Sequence, residues 1–85
     1  MPTICQFYGI TILMHLTNKE HNPPHIHVRS GEGEFTITLH SREIEGRART
    51  KTIQIVNQFI DEHINELEEI WDRAQRGDKI IKIKR

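Results

Sequence analysis

The chain has 85 residues, one domain's worth, near the lower limit for burying a self-sufficient core. Twelve Lys and Arg balance twelve Asp and Glu, so the formal net charge at pH 7 is zero, which argues against a general nucleic-acid coat protein with its clear basic excess. Hydrophobic content is 35%, low for a globular domain, so each apolar residue counts and a partner surface is expected to help. Lone Cys5 cannot form an internal disulfide and fits a reducing cytoplasm. No basic stretch runs into an apolar one as in a signal peptide, and no apolar run is long enough to span a bilayer. These features predict a soluble, cytoplasmic single domain over residues 1–85 with no membrane contact.

Met1 to Tyr8 reads as a short opening segment, with Ile4, Phe7 and Tyr8 available to cap a core edge and Gly9 breaking it. From Ile10 to Leu16 apolar residues alternate, which predicts a strand with Ile10, Ile12, Met14 and Leu16 on one face. Thr11, Leu13 and His15 take the other. A polar loop then enters His21-Asn22-Pro23-Pro24-His25-Ile26-His27-Val28, which holds three of the chain's six histidines. Two consecutive prolines restrict the backbone to extended conformations, a use suited to presenting imidazoles in fixed directions.

Strands are predicted over His25 to Ser30 and Glu34 to His40, joined through Gly31-Glu32-Gly33. Glu32-Gly33 suits a type I′ turn and Gly31-Glu32 a type II′ turn. Either register puts Ile26, Val28, Phe35, Ile37 and Leu39 on one face and His25, His27 and Arg29 on the other with Thr36 and Thr38. The Glu32-Gly33 register sets His25 opposite His40. Ser41 to Arg49 is a charged connection that could continue the hairpin.

From Thr50 to Arg76 the apolar period becomes helical: Ile53, Val56, Phe59, Ile60, His63, Ile64, Leu67, Ile70, Trp71 and Ala74 form one stripe. Thr50 or Thr52 is the expected N-cap and Gly77 the C-terminal stop. A continuous helix here would run roughly 40 Å. We therefore expect a break near His63 to Asn65, or an end packed on another chain as a homo-oligomer. Lys79 to Lys84 reads as a last edge strand. The predicted architecture is α+β: a small antiparallel sheet of three to four strands with a long helix, or two shorter ones, on its apolar face.

The segments Met1-Pro2-Thr3-Ile4, Phe7-Tyr8-Gly9-Ile10, His21-Asn22-Pro23-Pro24-His25-Ile26-His27, Gly31-Glu32, and Glu66-Leu67 with Trp71 resemble the bacterial domain of unknown function 4160 family over essentially the whole chain. Arg47-Ala48-Arg49 departs from the Leu-Pro expected there, which bears on the helix start. The resemblance implies a setting but no activity. Members are often encoded beside a small protein of the domain of unknown function 2442 type, in an arrangement like a toxin–antitoxin pair.

Two chemistries suit the histidines. Acid–base cleavage of RNA would use His21, His25 and His27, one as base and one as acid, with Arg29, Arg42 or Arg47 stabilising developing charge. Arg42, Arg47, Arg49 and Lys51 would hold the nucleic acid, while Asp61, Glu62, Glu66, Glu68, Glu69 and Asp72 make the later helix acidic. The alternative is a transition metal such as zinc on His21, His25, His27 and His40, with Glu32 or Glu34 available as a carboxylate ligand. The competing structural account is that His and Asn around Pro-Pro close a loop through backbone hydrogen bonds. His15 and His63 read as structural, Trp71 as a core or interface anchor, the acidic helix face as solvated, and Cys5 has no role. Two functions follow as expectations: a toxin-like component acting on RNA, or a non-catalytic module that binds the neighbouring protein, with or without a metal.

Overall fold

The computed structural model describes residues 3–14 and 23–83. Five strands form one antiparallel meander in the order β1 (Thr3–Phe7), β2 (Ile10–Leu13), β3 (His25–Ser30), β4 (Gly33–Thr38) and β5 (Ile44–Gly46). Among the described residues one helix, α1 (Thr50–Gln75), follows. The α+β class is as the sequence predicts, with a larger sheet than the three or four strands expected.

Of the two additional strands, β5 continues the hairpin within the Ser41 to Arg49 connection, and β1 lies in the opening segment. In β1 the register shifts between Thr3 and Cys5, so adjacent Ile4 and Cys5 both join the core and the period-two signal is lost. Phe7 pairs with Ile10 across Tyr8 and Gly9, whose φ values of 49° and 73° are the positive pair a type I′ turn requires. In β5 every residue is exposed, so no burial pattern marks it. Gly46, at φ 114°, faces Phe35 so closely that a Cβ would meet the Phe35 Cα at 2.8 Å.

Register decides the faces of the central hairpin. Ser30 pairs with Gly33 across Gly31-Glu32, Ile26 with Ile37, and Val28 with Phe35. Positive φ falls at Gly33 rather than Gly31, so the loop takes the Gly31-Glu32 register without the type II′ geometry. Ile26, Val28, Phe35, Ile37 and Leu39 are all buried, in one cluster with Val56, Phe59 and Ile60 of α1. Each such side chain contributes about 1.5–3 kcal/mol on burial. Phe59 also stacks on Phe7, centroids 5.0 Å apart, which ties α1 to β1.

A straight helix of 26 residues would extend about 39 Å, beyond the 33 Å long axis of the molecule. The chain resolves this at the predicted place: His63 takes φ −125° and ψ 23°, kinking α1. Its Nδ1 lies 2.8 Å from Glu66 Oε1 and its ring 4.9 Å from that of Phe59, contacts that brace the side chain at the kink. Neither Thr50 nor Thr52 is the N-cap. That position is Arg49, in extended conformation and without a side-chain cap bond. At the other end Gly77, at φ 75°, completes the cap: its N–H donates to Ala74 O and that of Asp78 to Arg73 O.

The expected last strand is a docked tail instead. Ile83 N–H donates to Ile4 O at 2.9 Å, and Ile83 is buried in the core. No helix among the described residues is long and apolar enough to cross a membrane.

Candidate functional site: a histidine pair on the open sheet face

Cross-strand rows build the face away from the core. His27 stands between Leu13 of β2 and Thr36 of β4, and Thr36 pairs in turn with Glu45 of β5. His25 stands opposite Thr38, whose hydroxyl accepts from Glu43 N–H at 2.8 Å. The two imidazoles are neighbours, centroids 5.4 Å apart. Beside them is a cleft of about 290 Å³ lined by Pro23, His25, Thr36, Thr38, Glu43 and Glu45.

The prolines set the direction of one ring. His25 Nδ1 lies 2.9 Å from Pro23 O, and a carbonyl only accepts, so Nδ1 carries the proton. In the neutral ring Nε2 is then the acceptor, available as a base or ligand. This bond is of the loop-closing kind the structural account expects, and it also fixes the chemistry of the ring.

The expected separation of histidines from helix does not hold fully. Both rings are half-buried rather than solvent-facing. Trp71 of α1, itself buried, lies 5.1 Å from the His25 ring. Because β3 begins at His25, this side chain sits at the end of the sheet, where the helix segment after the kink reaches it.

The remaining predicted residues disperse. His21 and His15 lie outside the described residues. His40 is not opposite His25, because the register places Thr38 there; its Nε2 lies 3.8 Å from Glu68 Oε2 of α1. Among the described residues no three His, Cys, Asp or Glu side chains gather as a metal set. Glu34 is engaged by Arg29, and Glu32 lies 3.7 Å from Arg49. Arg29 therefore stands next to His27 in alternation but with its charge met by Glu34.

Of the basic residues predicted together, Arg42 stands apart, whereas Arg47, whose N–H donates to Glu34 O, lies toward the same hairpin end as Arg49 and Lys51. Arg42, at φ 61°, donates to Leu39 O and Asn57 Oδ1 and pairs with Asp61 at 2.8 Å. It is a tie between the β4–β5 connection and α1. Arg49 and Lys51 line a different cavity with Ser30 and Gly31, at the far end of β3 from His25. Six residues of strand put those ends about 16 Å apart. Sequence reasoning missed Glu43 and Glu45 as cleft residues. Their spacing by two was a signal, but only the pairing of β5 with β4 brings them beside His25.

Fold and site together define a small α+β protein, a five-strand meander with a kinked helix on its apolar face and, on the other, a cleft that His25, Glu43 and Glu45 line. The chain belongs to the Domain of unknown function (DUF4160) family, whose model matches residues 9–72. The match takes in β2 to β5 and most of α1, leaving β1 outside it. No curated protein and no solved structure matches the chain.

Proposed function

We propose that this chain is a non-catalytic interaction module of a two-component bacterial pair, docking a small partner protein at the cleft that His25, Glu43 and Glu45 line. The observation that carries the reading is the separation of charge. Glu43 and Glu45 line the histidine cleft and have no ion-pair partner among the described residues, whereas Arg29 and Arg42 are both tied to carboxylates. Such a face suits a partner segment bearing Lys or Arg, and repels a polyanion. The resemblance to paired-gene modules supplies the candidate, a protein of the domain of unknown function 2442 type.

The test is co-expression with that neighbour and titration of the purified pair. A stable complex is expected, weakened at least tenfold by Glu43→Lys with Glu45→Lys and unchanged by Arg49→Ala. Absence of a complex, or a complex indifferent to the glutamates, would sink the reading.

The second reading is toxin-like RNA cleavage, favoured by the 5.4 Å spacing of the rings and the fixed Nδ1–H of His25. Of its candidate cations, Arg29 and Arg42 are tied to carboxylates, which leaves Arg47 to stabilise developing charge. Growth arrest on induction, relieved by His25→Ala or His27→Ala in a folded protein, is its expected result; a harmless wild type refutes it. A metal at the histidines is compatible with either reading, and elemental analysis of wild type against His25→Ala with His27→Ala decides it.

A further inference from the structure

The two edges of the sheet are treated differently. Along β1 the tail covers the outer edge, Ile83 N–H donating to Ile4 O at 2.9 Å. At the other end of the strand order β5 has no strand beyond it among the described residues, and all its residues are exposed.

The bonds that β5 makes inward fix what it presents outward. Glu43 O accepts from Thr38 N–H at 3.1 Å, and Arg47 N–H donates to Glu34 O at 3.2 Å. In a trans peptide the N–H and C=O point in opposite directions, so Ile44 N–H and Gly46 C=O face away from β4. Such unpaired backbone groups are a template for a further strand. Ile44, 37% exposed, adds a large apolar side chain at the same edge.

The chain through this edge runs Glu43-Ile44-Glu45-Gly46-Arg47-Ala48-Arg49, a pattern in which each Glu is mirrored about Gly46 by an Arg. Turned about Gly46 onto a second copy, it sets Glu45 opposite Arg47, Glu43 opposite Arg49 and Ile44 opposite Ala48. Residues with outward backbone groups then meet each other, as an antiparallel ladder requires. Sliding by two residues brings Glu45 onto Glu45 in one direction and Arg47 onto Arg47 in the other, so charge selects one register. Glu43, Glu45 and Arg47 are exposed and form no ion pair among the described residues. Arg49 is still extended, at φ −75° and ψ 148°, and its side chain is 72% exposed at 3.7 Å from Glu32.

We propose that β5 pairs antiparallel with β5 of a second copy of this chain, about a two-fold axis at Gly46. The contact is isologous and closes at a dimer, with main-chain bonds for affinity and the alternating charges for register. A strand of another protein would meet the same backbone, but the mirrored charges match this chain to itself. Self-pairing shares Glu43 and Glu45 with the cleft yet does not rest on what the cleft binds, because it needs Arg47, Arg49 and the edge backbone and no neighbour.

Sedimentation equilibrium of the full chain alone, from about 10 μM to about 1 mM, should show a monomer–dimer equilibrium that added salt weakens. Glu43→Lys with Glu45→Lys, and Arg47→Glu with Arg49→Glu, should each raise the dissociation constant about tenfold or more. An equimolar mixture of these two variants should regain the dimer, since every opposed pair is again of unlike charge. Ile44→Pro removes an outward N–H and no bond to β4, and should give a monomer with the circular dichroism of wild type. Arg49→Ala should weaken self-association while leaving a complex with the neighbouring protein unchanged. A monomer at every concentration, a dimer indifferent to Ile44→Pro, or charge variants that fold but do not recombine, each overturns the proposal. Loss of the neighbour's complex in Ile44→Pro, with the wild-type chain alone monomeric, assigns the edge to the neighbour and refutes self-pairing.

Discussion

The Nδ1 of His25 sits 2.9 Å from the carbonyl oxygen of Pro23, two residues back along the chain. The Pro-Pro pair thus does more than stiffen a loop: it fixes an acceptor that selects one tautomer of the first histidine in the cleft. Nitrogen-15 spectra of the neutral ring should show the Nδ1–H form of His25. Finding the Nε2–H form would mean the ring is not held this way, and would remove the basis for assigning Nε2 as the free nitrogen.

Two glycines should respond oppositely to alanine. At Gly46 a Cβ would lie 2.6 Å from Glu34 O, and φ is 114°, so Gly46→Ala should cost well over about 1 kcal/mol. At Gly31 nothing lies within 4 Å and φ is not positive. Gly31→Ala should therefore be neutral or stabilise by about 0.4–1 kcal/mol. Urea melts of the two variants compare them directly; equal costs would contradict the β4–β5 pairing at Phe35 and Gly46.

Arg42, a nucleic-acid-binding candidate on sequence grounds, joins Leu39 O, Asn57 and Asp61. Arg42→Ala should lower stability by about 1–3 kcal/mol, since the side chain is largely buried and its bonds are charge-assisted. A variant as stable as wild type would show that the side chain does not tie the β4–β5 connection to α1.

Tail docking separates two isoleucines of the same short run. Ile83 is 6% exposed and bonded through its N–H to Ile4, while Ile81 is 55% exposed. Ile83→Ala should cost about 2–5 kcal/mol and Ile81→Ala less than about 0.5. The reverse order in thermal melts would show that the tail does not lie along β1.

What the sequence by itself determined was whatever periodicity encodes. Alternation placed Ile26, Val28, Phe35, Ile37 and Leu39 on one face with the histidines on the other. The 3.6-residue stripe found α1, and its length demanded the break that His63 supplies. Local chemistry was also legible at Gly77, where only a left-handed residue ends the helix. Tertiary structure decided the rest, because register and pairing are not local properties. A bulge at Ile4 hid β1, and β5 buries nothing that a pattern could reveal. Pairing of Thr36 with Glu45, and the loop that returns Glu43 to Thr38, made the histidine cleft acidic. The same pairing left His40 facing Glu68, drew Arg42 into α1, and carried Arg49 and Lys51 to the opposite end of the sheet. Residues close in sequence were parted because a strand moves the chain about 3.3 Å per residue, and charges a few positions apart then belong to different surfaces.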